Sequence, residues 1–318
     1  PDTTVTTALP SLDEIELNDT WLLLAGGALG QDTRGRIEVR RRSQPARVAA
    51  TIGTSYRAGR PGCLELDGDD LLWTDFESVV SDSDPGPPGH WSLWQRDLTT
   101  GKQRRLASGL PEDIDEEAPC AAAGNGLAAW NDNGRVTVRN LETGRTRSWA
   151  DAATPATITA AGMFETSWSK RGLELSLRSG AAFASRRSVV TVPEATSAAV
   201  GDDRLLVFLD EPGGSADAET VCTCRLPDCS LSELRRDPQS GPGVVVSGFA
   251  AWANGDEGVA VARLDGGAVP ALAPGRVPFR AIAAFGDTLA YGTQEFDPDA
   301  SEPGPMTLHL LRILPSRG

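Results

Sequence analysis

Residues 93–106 read LWQRDLTTGKQRRL and residues 136–149 read VTVRNLETGRTRSW. The two stretches align without a gap. Each has an alternating strand, an Asp97 or Asn140 before a leucine, a Thr-Gly pair at Thr100-Gly101 or Thr143-Gly144, and a second strand rich in arginine. Alternation at period two marks an extended strand with one buried face. The glycine supplies the positive φ that a tight hairpin needs. The same hairpin occurring twice at this spacing predicts a repeat protein.

Further from this pair, short strands that follow a Gly, Asp or Asn turn and end in an aromatic residue recur at Trp73, Trp130, Trp168, Phe208, Trp252 and Tyr291. Leu24 holds the same place at the start of the chain. Their mean spacing, about 44 residues, suits four strands per unit of a β-propeller. A strand of small or β-branched residues precedes each anchor: EIELN, CLELD, CAAAG, TITAA, TSAAV, GVVVS and RAIAA. That composition is expected beside a central channel, where the blades converge and bulky side chains have little room. Seven anchors predict an all-β, seven-bladed β-propeller of four-stranded antiparallel blades. The blades fall near residues 11–53, 62–108, 118–151, 156–192, 196–237, 243–273 and 279–314, in one domain over residues 1–318.

After the third strand of the last blade, TLHLLRI at 307–313, too little chain remains for a fourth. Residues 3–9, TTVTTAL, form a β-branched segment with no other assignment. The N-terminal strand is therefore expected to complete the last blade, closing the ring and removing an exposed sheet edge.

The 97–106 and 140–149 hairpins resemble the strand–turn–strand unit of TolB-like and WD-type repeat propellers. The resemblance follows the repeat along most of the chain but is marked only in the second and third blades. It implies a fold, and a family that mostly binds proteins or other ligands, without naming the ligand.

Composition narrows function. Among 318 residues there are 34 Gly and 22 Pro, with a net charge of −14. Such a charge argues against nucleic acid, whose phosphates need Lys and Arg. A basic protein, peptide or cation is the expected partner of a monomer. No apolar run is long enough to span a membrane. Because the chain opens at Pro1, removal of a signal or anchor is expected. An extracytoplasmic location is also expected from the cysteines: in VCTCRLPDC, a turn at Leu226-Pro227-Asp228 would set Cys224 opposite Cys229 for a disulfide. Cys63 and Cys120 open equivalent strands of neighbouring repeats, as a second bonded pair or as small buried hydrophobes. A thiolate metal site lacks a fourth ligand near Cys222, Cys224 and Cys229.

In a propeller the loops from second to third strand and from blade to blade share one face. The topology puts Glu77, Asp82, Asp84, Asp113, Asp115, Glu116, Asp210, Asp297 and Asp299 there. The opposite turns and outer strands carry Lys102, Arg104, Arg105, Arg145 and Arg147. An acidic face would attract a basic partner, although acidic loops also serve solubility. No cofactor is required by this scheme. Calcium is a candidate at Asn131, Asp132 and Asn133, or at Asp297 and Asp299, where oxygen-rich turns suit a hard cation; NDNG is equally a hairpin turn that accepts positive φ. Trp91 and Trp94 are candidate ligand-contact aromatics, against burial in a strand. No nucleophile, zinc or nucleotide motif occurs. Carboxylate chemistry in the central channel, of lyase, cyclase or glycosidase type, is the enzymatic alternative.

Overall fold

The computed structural model describes residues 3–7, 9, 11–26, 34–55, 59–77, 90–110, 119–201, 203–210, 219–237, 240–254, 258–264, 281–294 and 306–313. They form seven antiparallel sheets and a single 3-10 turn at Ala181–Phe183. The chain enters through β1 (Thr3–Thr6). Blade 1 follows with β2 (Glu14–Leu17), β3 (Trp21–Gly26), β4 (Arg36–Arg41) and β5 (Val48–Gly53). Blade 2 holds β6 (Gly59–Asp67), β7 (Asp70–Glu77), β8 (Trp91–Asp97) and β9 (Gln103–Gly109). Blade 3 holds β10 (Ala121–Gly124), β11 (Leu127–Asp132), β12 (Arg135–Asn140) and β13 (Thr146–Ala150). Blade 4 holds β14 (Thr154–Thr159), β15 (Gly162–Ser169), β16 (Gly172–Ser179) and β17 (Ser185–Val192). Blade 5 holds β18 (Ala195–Val200), β19 (Arg204–Asp210), β20 (Glu219–Arg225) and β21 (Ser232–Asp237). Blade 6 shows three strands among the described residues, β22 (Ser240–Val245), β23 (Phe249–Asn254) and β24 (Val259–Arg263). Blade 7 consists of β25 (Ile282–Phe285), β26 (Thr288–Gln294), β27 (Met306–Arg312) and β1.

The inner strands pack side by side in sequence, and β25 meets β2 to complete the ring. Closure takes the expected form: Thr3 to Thr6 pair with Leu310 to Thr307. Val5 enters the apolar cluster of Leu308, Leu310, Ile15 and Leu17. Convergence at the axis explains the small residues. A Cβ on Gly124 would stand 2.1 Å from the Ile158 carbonyl oxygen, and one on Gly201 would stand 2.0 Å from that of Val245. No side chain fits at either contact.

A backbone bond recurs around the ring. The residue after the third strand donates its N–H to a carbonyl in the turn between first and second strands: Arg42 to Thr20, Leu98 to Asp69, Leu141 to Gly126, Leu226 to Asp203, Leu264 to Gly248, and Ile313 to Asp287. Side chains add links between blades. Asn18 Nδ2 donates to the Gly68 carbonyl at 2.7 Å, and Trp21 Nε1 donates to Asp69 at 2.7 Å. These bonds satisfy turn groups that would otherwise rely on water.

The aromatic anchor is the fourth residue of the second strand in five blades: Leu24 and Trp73, Trp130, Trp252 and Tyr291 are all buried there or in the equivalent aliphatic place. Blade 4 departs from the expected alignment. Trp168 is 55% exposed at the far end of β15. The fourth residue of that strand is Glu165, fully buried, with Phe164 beside it in the apolar interior. A buried carboxylate is tolerated only when paired. Arg178 Nε lies 2.8 Å from both Glu165 oxygens, Arg178 also binds Asp151, and Arg186 reaches both carboxylates. An ion-pair network has taken the place of an aromatic ring.

Both disulfides form, Cys63–Cys120 and Cys224–Cys229, with Cα separations of 5.1 and 5.0 Å. The first joins β6 of blade 2 to the residue just before β10 of blade 3. The second differs from the cross-strand pair expected: the β20–β21 ladder ends at Thr223 and Ser232, so Cys229 belongs to the connecting turn. Cys222 is a buried free thiol.

Candidate functional site

The inner strands enclose a cavity of about 940 Å³ on the axis, at the end where the first-to-second-strand turns emerge. Its acidic lining comes mainly from two blades. Glu16, Asp19, Glu65, Asp67 and Asp69 belong to blades 1 and 2, and Asp203 belongs to blade 5. No Lys, Arg or His is among the described lining residues. The rest of the wall is largely apolar, with Ile158, Val200, Val244, Ile282 and Phe285. The cavity is thus amphipathic, with carboxylates mainly from blades 1 and 2 and apolar groups from blades 4 to 7.

Strand alternation places these groups. In β2, Ile15 and Leu17 turn into the cluster shared with blade 7, which sends Glu14 and Glu16 the other way, toward blade 2. In β6 a bulge between Gly62 and Glu65 interrupts the ladder, with Cys63 at φ +56°. A bulge leaves N–H groups without strand partners, and Glu14 takes them: its carboxylate accepts from Cys63 N at 2.7 Å and from Leu64 N at 2.8 Å. Glu65 then points across to blade 3, where the Ala123 N–H helps to hold its carboxylate.

Glu16 and Glu65 each retain some exposure toward the cavity, but protein surrounds them deep within the ring. Burial, and next the Glu14 charge, pushes the Glu16 carboxyl up to about 8, against a smaller opposing pull from the Leu17 N–H. Burial, followed by Glu16 and Glu14, carries Glu65 well above the usual carboxylate range. Clustered carboxylates without a counter-charge resist simultaneous ionisation. The pair can therefore hold a proton near neutral pH, or receive a positive charge.

The residues singled out from sequence are dispersed. Glu77 closes β7, and Asp210 is exposed at the end of β19, both at the end of the ring opposite the cavity. Asp82, Asp84, Asp113, Asp115, Glu116, Asp297 and Asp299 lie outside the described residues. Trp91 is buried at 2% exposure, and half-buried Trp94 stacks on Trp73 at 6.3 Å, so both rings pack the blade rather than present a contact surface. At the Asn131–Asp132–Asn133 turn, Asn131 Nδ2 donates to the carbonyls of Asp151 and Ala153 at 3.0 and 2.6 Å. Asn133 and Gly134 take positive φ, as the β11–β12 hairpin requires. Among the described residues no group of three or more His, Cys, Asp or Glu is placed to hold a metal ion.

Sequence reasoning missed Glu14, Glu16 and Glu65. A signal was present. EIELN and CLELD place acids inside inner strands, where the cores of the other five, from CAAAG to RAIAA, are small or apolar. On a strand converging on an axis, such acids face one another across blades.

Fold and channel together define a seven-bladed β-propeller with an acidic axial cavity. No protein-family model and no curated protein sequence matches the chain. Solved propellers do. The β-propeller domain of the trilobed protease from Pyrococcus furiosus, described as having an open velcro topology, superposes with a TM-score of 0.64 at 8% identity, covering 96% of this chain and 98% of that one. Acylaminoacyl peptidase from Pyrococcus horikoshii gives 0.60 at 11% identity over 95% of this chain, which spans 52% of that longer protein. The N-terminal domain of Nup159 gives 0.52 at 11% identity, covering 96% and 90%. At these identities the likeness is one of fold. In this chain β1 pairs with β27 to close the ring.

Proposed function

We propose that the chain is a binding propeller whose axial cavity receives a cationic ligand, a basic protein segment, a peptide or a small organic cation. The observation that carries this is the charge of the cavity: six acids and no base among its described lining residues. A concave low-dielectric mouth focuses the field of such groups and raises the local concentration of cations. The apolar wall would bind the hydrocarbon part of the same ligand. The overall charge of −14 acts in the same direction at longer range. Two disulfides favour an oxidising, extracytoplasmic setting. The protein is proposed to act as a monomer, with the acidic loop face as a secondary contact surface.

Calorimetric titration with an oligo-arginine peptide tests this. Binding that weakens as salt rises supports it, since exposed charge attraction is screened. Heats no larger than dilution at every salt concentration contradict it. One observation favours a second function, a carboxylate enzyme of lyase, cyclase or glycosidase type: Glu16 and Glu65 open into one cavity, and burial raises both carboxyls above their ordinary range. Turnover of an anionic or neutral polysaccharide that disappears in Glu65→Gln would establish that function.

A further inference from the structure

We propose that the Glu16 and Glu65 carboxyls are held protonated in the ligand-free channel and that a proton is released when a cation enters, so that binding is coupled to proton release and strengthens as pH rises. This rests on the cavity being a cation site and adds how that site is regulated. The two carboxyls come from neighbouring inner strands, β2 and β6, and open into the same cavity.

Among the described side chains none supplies a competing counter-charge. Glu14, on β2, is bound to the Cys63 and Leu64 N–H groups and adds negative charge beside both. Packed against the pair, β10 (Ala121–Gly124), β25 (Ile282–Phe285) and β3 (Trp21–Gly26) carry no titratable side chain. On β7, Asp70 accepts from Gln95, and Asp75 accepts from Ser55 N and Trp73 Nε1. The Tyr291 ring of β26 stacks on His309. The arginines of β4 are occupied elsewhere: Arg36 and Arg40 pair with Glu38, and Arg41 lies over the Trp21 ring. The charged groups at the rim, among the described lining residues, are all acids, Asp19, Asp67, Asp69 and Asp203. Two carboxylates so placed cannot both ionise cheaply until a positive charge arrives.

The balance is simple. The carboxylic acid O–H breaks, its proton passes to buffer, and the cation pairs with the resulting carboxylates. With one linked proton, affinity rises by up to about tenfold per pH unit on the acid side of the transition and levels off above it.

The test uses the full chain in two parts. Potentiometric difference titration compares the native protein with Glu65→Gln and Glu16→Gln between pH 6 and 10, as set by the transition near 8. The native protein should take up more protons in that interval than either variant. Calorimetry with spermidine in phosphate and in Tris at neutral pH should give heats that differ by the buffers' ionisation heats for up to about one proton, with the difference vanishing well above the transition. Superimposed titration curves overturn the proton pair whether or not spermidine binds. Separate curves with buffer-independent heats overturn the coupling and leave the cation site intact. Separate curves with no spermidine heat at any pH overturn the cation site, and with it the coupling.

Discussion

The Glu14 carboxylate of blade 1 accepts the backbone N–H of Cys63 in blade 2 at 2.7 Å, at the bulge that turns Glu65 toward blade 3. Removing the acceptor takes away the carboxylate that the Cys63 and Leu64 N–H groups donate to. Glu14→Ala should therefore destabilise the protein by about 1–3 kcal/mol, read as a lower denaturant midpoint. An unchanged midpoint would show that water replaces the carboxylate.

Burial of Glu16 has a pH signature. A carboxyl whose folded value is raised to about 8 contributes stability that is fully present below the ordinary value of 4.5 and is lost as pH rises through 8. Glu16→Gln should therefore raise the melting temperature at pH 9 relative to native, and leave it nearly unchanged at pH 4. Equal shifts at both pH values would mean that the residue is simply solvated.

His309 gives the opposite sign at the ring closure. It pairs with Thr4 across β1 and β27, stacks on Tyr291 with centroids 4.7 Å apart, and meets Thr293 at 2.8 Å. Burial lowers its pKa below the ordinary 6.5, so its contribution is present above that value and is lost as pH falls through the folded one. Native protein should lose stability on acidification below about 6.5, and His309→Gln should lose less. Parallel acid unfolding curves would assign the loss to other groups.

In blade 4, Arg178 holds a fully buried Glu165. Arg178→Ala leaves that carboxylate only the more distant Arg186, at 3.5 Å, and should destabilise by about 3 kcal/mol. A double substitution, Glu165→Leu with Arg178→Met, should recover much of the loss. Chemical unfolding of the three proteins decides it, and no recovery would mean that the network matters through Asp151 and Arg186 as well.

Thiol counting on the unreduced, unfolded protein should find one reactive cysteine, Cys222. In the folded state its burial should slow reaction. Reduction should weaken the fold mainly through the Cys63–Cys120 bond, whose sequence separation of 57 constrains the unfolded chain by about 4 kcal/mol, against about 2 for the separation of 5 at Cys224–Cys229. Five reactive thiols would contradict both bonds.

The repeat was legible because propeller anchors are local: a turn, then a hydrophobic fourth residue, recurs without any knowledge of neighbours. Trp168 misled for the same reason. An aromatic ending a strand looks like an anchor, and only the pairing of Thr159 with Gly162 shows that β15 starts earlier and puts Glu165 in that place. The closing strand was readable from an unassigned β-branched segment. The cavity was not, since attention to long loops passed over acids inside inner strands, whose proximity arises from different blades meeting at the axis. Glu16 and Glu65 hold the same place in EIELN and CLELD, but nothing local marks that place as facing the axis. Trp91 and Trp94 could be placed on a strand, but which face was covered depended on packing against blade 3 and on Trp73.

The proposed cation site is the channel rather than the loop face. Spermidine binding measured by calorimetry near pH 8 on native protein, on Glu16→Gln/Glu65→Gln and on Glu77→Gln/Asp210→Asn separates the two. A channel site should show a loss of about tenfold or more in the channel variant, equivalent to about 1.4 kcal/mol, with near-native affinity in the loop variant. Native affinity in the channel variant and a loss in the loop variant would contradict it.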